Sequence, residues 1–490
     1  MGGLSSLEKP PVVDSASPIA SSETNVLQTP FDKVAERKLL WKLDFTVLPL
    51  LWLLYLVCFV DRSNIGNAKI QGMEKELNLE GQKYNVAVFI FNIGYVLAGV
   101  PLSIVFKKVG PKFLPMMMFF WGVCVIGNGV TKSYAGLLVC RCLEGCAESA
   151  YVPGAAYLIG SYYKKNEFLK RYTIFFSAGI CAGAFNGFLS SLLAKMDGIQ
   201  GYKAWRWLFI IEGVITIAIS FLSFFLIVPF PEDSNFLAPD EKALLLARLK
   251  NDGGTVVHDK LSIRRLVEIL HDWKIWAAVF IYLGGAENAN SITSFQPTIL
   301  KGVGYTSTGA QIRTIPVYLV AAVFSLSLAS LSEYLQKRYI FCMIGFLTIV
   351  AGLIVEIVQP KQPGVRYMGL FLMTAGAYLV MPLTIVWIAI NVGKGYKRTI
   401  ALGVISSFGN AGAFIGTNVF LKSEEPKFRT GFSTGIGLAT FGMIFATIMF
   451  VGTYLGNKRR DERRKELPDV LDEGTVENLG EKHPDFRYSL

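Results

Sequence analysis

The chain has 490 residues, of which 52% are hydrophobic and 17% are charged, and its mean hydropathy is +0.43. This apolar fraction over this length excludes an ordinary soluble globular protein and predicts an integral membrane protein. The formal net charge is +11, but the cations form short clusters between apolar stretches and near the end of the chain. We interpret them as topology signals rather than a phosphate-binding face, and we expect no nucleic-acid partner.

Metal and cofactor motifs are missing from the sequence. The seven cysteines lie in or beside apolar stretches without a CxxC pair, and the three histidines fall in predicted loops or the C-terminal tail. No GxxxxGK[ST] loop is present, so direct coupling to ATP is not supported. We therefore expect no cofactor and no metal site.

Apolar windows of about 20 residues, the length needed to cross a bilayer, predict twelve membrane-spanning helices. We number them span 1 to span 12, and they lie near residues 45–66, 85–106, 113–131, 136–162, 172–194, 205–229, 274–296, 312–332, 339–358, 366–390, 399–421 and 432–455. The predicted fold class is therefore all-α. The spans divide six and six around the longest polar stretch.

This division predicts five regions. They are a disordered cytosolic tail (1–40), an N-terminal six-helix bundle (41–229), a cytosolic central loop (230–273), a C-terminal six-helix bundle (274–455) and a cytosolic C-terminal tail (456–490). The loops after spans 2, 4, 6 and 10 and the final tail are richer in lysine and arginine than the loops on the other side. The positive-inside rule then places both termini in the cytosol.

Span 4 carries one cation and two carboxylates in a stretch that is otherwise small and apolar. Arg141, Glu144, Gly145 and Glu148 share one face of an α-helix, because offsets of three, four and seven residues return to the same side. An ionisable side chain at membrane depth is unfavourable unless it faces a cavity or a partner, so these residues are functional candidates. The alternative is a buried ion pair that only locks two helices together.

A series of motifs follows in a fixed order along both halves of the chain. They are FVDRSNIGNA from Phe59, QKYN from Gln82, KKVGPK from Lys107, RxxxGxxExxxxPG from Arg141, WRWLFIIEG from Trp205, FQPTI from Phe295, NxG from Asn391 and GNAG from Gly409. Together they resemble the fungal allantoate permease branch of the anion:cation symporter family, within the major facilitator superfamily, over about residues 35–455. One departure is Lys107, which occupies the place of the usual acid in the superfamily's loop between spans 2 and 3.

The resemblance implies the major facilitator fold, in which two six-helix bundles rock about a central site. It also implies a carrier that moves a small carboxylate into a fungal cell together with protons. The implied partners are a small organic anion, protons and the lipid bilayer. The implied location is the plasma membrane, and we expect a monomer.

The chemistry of such a carrier assigns roles to particular residues. A bound anion needs a fixed cation, and arginine fits because its guanidinium stays protonated and grips a carboxylate bidentately, which suggests Arg62 and Arg141. Proton coupling needs carboxylates whose protonation responds to burial and to a nearby arginine, which suggests Asp61, Glu148 and Glu144. Alternatives stay open: Asp61 as a simple partner of Arg62, and Glu148 or Glu144 as a structural partner of Arg141.

Other residues extend the predicted sites in both halves. The predicted substrate-binding set also contains Asn64, Asn288, Trp387 and Asn391, and the predicted gating set is Lys107, Lys108, Gly110, Arg206 and Glu212. Asn288 is alternatively a hydrogen-bonding partner of a neighbouring helix, and Trp387 a packing residue. Glu212 is assigned either to packing or to the cytosolic gate.

These observations favour a proton-coupled importer of a small organic anion. Transport direction follows gradients, so an exporter of an acidic metabolite is an alternative with the same fold, and a non-transporting nutrient receptor is another. A membrane enzyme is disfavoured because no pairing of nucleophile and base and no metal set is found.

Overall fold

A computed structural model describes residues 33–79, 83–252, 261–302, 304, 307–360, 362–393, 395–420, 424, 427–466 and 486–490. It confirms the all-helical architecture with twelve membrane-spanning units in two bundles. In the N-terminal bundle, span 1 is Lys33–Ala68, span 2 Lys83–Val109, span 3 Phe113–Val130, span 4 the consecutive helices Tyr134–Glu148 and Tyr151–Tyr162, span 5 Phe168–Leu193 and span 6 Ala204–Leu226.

The C-terminal bundle repeats this arrangement, and two helices of the predicted central loop precede it. Those two helices are Pro239–Asn251 and Ile263–Leu270. Span 7 is Trp273–Gly302, span 8 Ser307–Leu335, span 9 Arg338–Val358, span 10 Pro363–Asn391, span 11 the consecutive helices Tyr396–Gly409 and Ala411–Asn418, and span 12 Arg429–Glu466. Each predicted span falls on one of these helices or helix pairs.

The two ends of the chain differ from the prediction. Residues 33–40, which we predicted within a disordered tail, form the first turns of span 1, whereas residues 1–32 lie outside the described residues. Span 12 continues through residues 456–466 of the predicted tail. Helical turns beyond the bilayer are polar, so a hydropathy window cannot detect them.

Nine of the described spanning units, the helix pair of span 11 among them, are long and apolar enough to cross a membrane. The remaining three units are spans 4, 5 and 7, and they carry polar or charged residues in their middle sections. Span 4 is also divided, since its two helices have only 15 and 12 residues. Polar side chains at this depth are expected to face the interior of the protein.

Packing between the helices separates the two bundles and defines the interface between them. Span 1 packs on spans 5 and 6, and span 2 on span 4; span 7 packs on spans 10, 11 and 12. Between the bundles, span 2 packs on span 11 and span 5 on span 8. Spans 4 and 10 add smaller contacts at this interface. The site below lies against it.

The two ends of the bundles have different ion pairs. Near the start of span 1, Glu36 accepts hydrogen bonds from Lys164, in the loop after span 4, at 2.8 Å and from Arg248, in the central-loop helix Pro239–Asn251, at 2.5 Å. We call this end, which carries the first and last described residues, the termini face. The other end, which we call the opposite face, holds the pair of Glu76 and Arg206 at 2.8 Å. The predicted region boundaries and the cytosolic position of the termini face stay predictions.

Candidate functional site

Arg62 lies between aromatic rings and one carboxylate. Its guanidinium carbon is 5.0 Å from the ring centre of Phe91 and 5.3 Å from that of Tyr95, so the cation lies over two π-faces. Nη1 of Arg62 is 3.6 Å from Oε1 of Glu148, which is longer than a hydrogen bond. Span 2, which carries both rings, packs on span 11 of the C-terminal bundle. The guanidinium is therefore held loosely, next to the second bundle.

A close crossing of spans 2 and 4 creates this arrangement. A Cβ atom at Gly145 would lie 2.1 Å from the carbonyl oxygen of Phe91, so only glycine allows the two backbones to approach this closely. Phe91 and Tyr95 follow at one-turn spacing on span 2, and Glu148 lies one turn after Gly145 on span 4. The crossing thus brings the two rings and the carboxylate to Arg62.

Arg141 forms a second ion pair with different geometry. Its Nη1 donates to Glu144 Oε1 at 3.2 Å within one turn of span 4, and both side chains are almost fully buried. Asn128 of span 3 donates to the other carboxylate oxygen at 2.7 Å. The ring of Phe209 lies 5.6 Å from the guanidinium. Of the two alternatives for span 4, Glu144 rather than Glu148 is the partner of Arg141.

Asp61 points away from Arg62, toward spans 3 and 6. Its Oδ2 accepts hydrogen bonds from Trp121 Nε1 at 3.0 Å and from Thr216 Oγ1 at 2.7 Å, and its Oδ1 has no partner among the described residues. The simple pair of Asp61 with Arg62 is therefore not formed. Glu212 is also buried, and neither of its carboxylate oxygens has a hydrogen-bond partner in the described part of the chain.

The predicted gating residues divide between the two faces. At the termini face, Lys107 donates to the Tyr157 hydroxyl at 2.5 Å, and Lys108 is exposed. Gly110 ends span 2 with φ of +92°, a conformation that favours glycine and lets the chain turn directly into span 3.

Arg206 and Glu212 lie toward the opposite face; if the termini are cytosolic, as predicted, this favours packing over the cytosolic gate for Glu212, and its role stays a prediction. Span 6 starts at the opposite face, so these two residues lie away from Lys107. Arg206 donates to the carbonyl oxygens of Gly129 at 2.9 Å and Thr131 at 2.6 Å, and to the Glu76 carboxylate at 2.9 Å. Burial raises the pKa of Glu76, but the hydrogen bonds from Trp205 and Arg206 outweigh it and hold this pKa below its ordinary value.

The other predicted substrate residues have internal partners. Asn64 Oδ1 accepts from Asn67 at 3.3 Å, and Asn64 Nδ2 has no partner among the described residues. Asn288 donates to the carbonyl oxygens of Gly284 at 2.9 Å and Gly435 at 3.3 Å, the helix-linking arrangement named above as its alternative.

Trp387 and Asn391 both contact Ser489, near the end of the chain. The Trp387 indole and the Asn391 amide donate to the Ser489 carbonyl oxygen at 3.0 and 2.9 Å. A role for these residues in substrate binding stays a prediction, as do the roles of all the site residues.

Sequence reasoning missed the residues that hold the charged groups in place. These are Phe91 and Tyr95 around Arg62, Trp121 and Thr216 on Asp61, and Asn128 on Glu144. The i, i+4 spacing of the two aromatic residues in span 2 is the one available signal. The other three lie on spans 3 and 6, far from their partners in sequence.

Buried ionisable groups beside the contact between two six-helix bundles are typical of secondary transporters. The chain matches the family model of the Major Facilitator Superfamily over residues 51–417. The chain belongs to this superfamily and is a transport protein rather than an enzyme.

Curated relatives are similar over nearly the whole chain. The MFS-type transporter cnsO of Penicillium expansum is 33% identical and covers 95% of this chain and 92% of its own length. The high-affinity nicotinic acid transporter of Saccharomyces cerevisiae is 28% identical and covers 92% and 85%, respectively.

Solved structures show the same fold. The proton:xylose symporter XylE superposes with a TM-score of 0.65 at 14% identity and covers 84% of this chain and 96% of its own. A bacterial homologue of the lysosomal transporter Spinster, in an inward-facing form, superposes with a TM-score of 0.56 at 17% identity and covers 83% and 96%. These likenesses concern the fold alone.

Proposed function

We propose that the protein is an importer that takes up a small organic anion together with a proton by alternating access. The observation that carries this proposal is the loose contact of Arg62 with Glu148, 3.6 Å apart, beside the second bundle. A substrate carboxylate bound bidentately by Arg62 forms shorter and stronger hydrogen bonds than this ion pair. The substrate and Glu148 therefore compete for one guanidinium.

This competition couples the proton to the anion. When Glu148 takes up a proton it no longer attracts Arg62, and the guanidinium is then available to the substrate carboxylate. Proton and anion bind together, and the net charge of the buried site stays unchanged, which avoids leaving an uncompensated charge inside the membrane. Release of both on the other side restores the contact between Arg62 and Glu148.

The two flat rings next to Arg62 favour an anion with a planar group. Phe91 and Tyr95 provide π-faces next to the guanidinium, and an aromatic carboxylate can stack on such faces while its charged group binds the arginine. The nicotinic acid transporter among the relatives carries a molecule of this chemical class. Nicotinate is therefore the first probe to test.

The test measures uptake of radiolabelled nicotinate into proteoliposomes with an imposed pH gradient. We expect accumulation when the outside is acidic, and none when the gradient is removed by a protonophore. Nicotinamide, which has the same ring without the carboxylate, serves as the matched control and should not accumulate. A panel of other carboxylates extends the test to substrates of different shape. If no carboxylate of the panel accumulates under any pH gradient, or if accumulation is the same with and without the gradient, the proposal is wrong.

A further inference from the structure

The last five residues of the sequence, Phe486–Leu490, lie on the termini face and are held by their backbone. Asn457 of span 12 donates to the Tyr488 carbonyl oxygen at 2.9 Å and accepts the Tyr488 N–H at 2.8 Å. Asn391 of span 10 likewise donates to the Ser489 carbonyl oxygen at 2.9 Å and accepts the Ser489 N–H at 2.7 Å. Each asparagine side chain thus forms two hydrogen bonds with the backbone of one residue, and the two residues are consecutive. These bonds hold the segment through its backbone and do not depend on its side chains. We call Phe486–Leu490 the docked segment.

Further contacts connect the docked segment to other spans of the C-terminal bundle. The Trp387 indole donates to the Ser489 carbonyl oxygen at 3.0 Å, and the Arg338 N–H at the start of span 9 donates to the Leu490 carbonyl oxygen at 2.6 Å. Arg338 is fully buried, and its Nε and Nη2 have no hydrogen-bond partner among the described residues. Spans 9, 10 and 12 therefore meet at this segment.

Tyr488 is the side-chain anchor of the docked segment. Its ring lies 4.6 Å from the Arg460 guanidinium and 4.8 Å from the Lys274 ammonium, and its hydroxyl accepts hydrogen bonds from both, at 3.0 and 3.3 Å. The same ring lines a cavity of about 310 Å³, which Trp273 and Gly456 also line. An aromatic ring between two cations is a common way to fix a segment in place.

Phe486 extends the docked segment to the N-terminal bundle. The ammonium of Lys165, in the loop between spans 4 and 5, lies 4.5 Å from the Phe486 ring centre. The Lys165 backbone is itself fixed, because its N–H donates to Asp252, which directly follows the central-loop helix Pro239–Asn251, at 2.7 Å. Burial lowers the pKa of the Lys165 ammonium. The docked segment thus has many contacts on one bundle and a cation–π contact with the other.

Hydrogen bonds also join the two bundles directly at the termini face. The Lys170 N–H of span 5 donates to the Glu333 carboxylate of span 8 at 2.7 Å, and the Arg398 guanidinium of span 11 donates to the Gly160 carbonyl oxygen of span 4 at 3.3 Å. All these contacts must break when the bundles separate at this end. The contact of Phe486 with Lys165 must break with them.

We propose that Phe486–Leu490 acts as a strap that stabilises the conformation closed at the termini face, and that its contact with Lys165 is released each time this face opens. The inference rests on the alternating access of the proposed function. It gives Trp387, Asn391 and Asn457 the role of holding the strap. It also predicts that the strap sets how often the site opens to the termini face, without contacting the substrate.

The test measures distances between two spin labels by pulsed electron spin resonance, on the full chain in lipid nanodiscs. The labels are placed on Lys112→Cys and Lys337→Cys, exposed positions at the termini-face ends of the two bundles, after replacement of the native cysteines. The strap predicts two distance populations and an increase of about threefold or more in the ratio of long to short distances when Phe486–Leu490 is deleted. Phe486→Leu, which keeps the bulk and removes the ring, should give a smaller increase in the same direction.

Two controls keep the result interpretable. Arg487→Ala changes the exposed side chain of the segment, which pairs with Asp461 of the same bundle at 2.8 Å, and should leave the distances unchanged. Asn457→Ala removes the two hydrogen bonds to the Tyr488 backbone. It replaces the deletion variant if that variant does not fold, and it should shift the distances in the same direction. If two distance populations are present but no strap variant changes their ratio, the strap proposal is wrong and alternating access still stands. A single population in every variant, with and without substrate and at every pH, would overturn both.

Discussion

Two buried ion pairs of the N-terminal bundle have the same chemistry and different settings. Arg141 and Glu144 lie one turn apart on one helix, 3.2 Å from each other, with the side chains 2% and 1% exposed. Arg62 and Glu148 come from two different spans and lie 3.6 Å apart, with the arginine side chain 17% exposed. The first pair is fixed by its own helix and by Asn128. The second depends on how two spans cross, and it borders the other bundle.

This difference is our basis for proposing which pair takes part in the transport cycle. A pair within one helix turn keeps its partner whatever the bundles do, so it stabilises the fold. A pair between spans, at a distance beyond hydrogen bonding, can exchange one partner for a substrate at little cost. We therefore propose that Arg62 and Glu148 exchange partners during transport, and that Arg141 and Glu144 support the structure.

Replacing Arg62 should have the largest effect. Arg62→Ala removes the cation that binds the substrate carboxylate, and we expect gradient-driven uptake to fall by about 100-fold or more. Arg62→Lys keeps the charge without the planar fork and should retain part of the uptake. Arg264→Ala is the control, because Arg264 pairs with Glu268 on the exposed central-loop helix Ile263–Leu270, at 3.3 Å, away from the site. Equal uptake by Arg62→Ala and wild-type proteoliposomes would remove Arg62 from the site.

Replacing Glu148 should separate coupling from binding. Glu148→Gln imitates the protonated side chain, so Arg62 stays available to the substrate at every pH. We expect this variant to lose accumulation driven by the pH gradient but to exchange internal for external substrate at a rate within about threefold of wild type. Counterflow of labelled nicotinate measures the exchange. Accumulation at the wild-type level would show that another group, with Asp61 first among the candidates, carries the proton.

Breaking the fixed pair should affect stability first. Arg141→Met leaves Glu144 buried without its cation, and removal of one partner of a buried pair costs about 3–5 kcal/mol of the free energy of unfolding. The double variant Arg141→Met with Glu144→Gln should recover part of this loss, since no unpaired charge remains. Thermal unfolding of the purified protein in detergent measures both. A larger loss of stability from Arg62→Ala than from Arg141→Met would reverse our comparison of the two pairs.

The pair of Glu76 and Arg206, at the opposite face, should have the smallest effect on stability, and this effect should depend on pH. The pKa of Glu76 is lowered in the folded protein from its ordinary value of 4.5. Its contribution to stability is therefore fully present above pH 4.5 and is lost as the pH falls through the lowered pKa. We expect this contribution to the free energy of unfolding to be about 1 kcal/mol, because the Glu76 side chain is 26% exposed and solvent weakens the ion pair.

The measurement for this pair is the melting temperature of wild type and Glu76→Gln from pH 6 to pH 3. The difference between the two proteins should shrink toward the acidic end. Glu74→Gln, on the same short helix, is the control and should show no such trend. A difference that grows as the pH falls would contradict the assignment.

The sequence predicts the spans well because each needs a long apolar run, and it predicts their ends poorly. The first turns of span 1 from Lys33 and the last turns of span 12 to Glu466 are polar helix outside the bilayer, where hydropathy carries no signal. The division of span 4 between Glu148 and Tyr151 likewise leaves no mark in a hydropathy window. The candidate functional face of span 4 was detectable because its ionisable residues stand out in an apolar setting.

Partners of the charged residues were harder to predict than the residues themselves. The pair of Arg141 and Glu144 follows from helical spacing. The pair of Arg62 and Glu148 joins spans 1 and 4, and no local pattern in the sequence shows which residues of different spans meet. The docked segment was missed altogether, because bonds to the backbone of Tyr488 and Ser489 place no demand on side-chain pattern.

The most direct test of the competition for Arg62 is the affinity of the purified protein for nicotinate as a function of pH, measured by calorimetry for wild type and for Glu148→Gln. Our account predicts that wild type binds more tightly as the pH falls and takes up about one proton per anion, whereas Glu148→Gln binds tightly at every pH and takes up none. An affinity of wild type that ignores pH, or a Glu148→Gln variant that keeps the wild-type pH dependence, would contradict it.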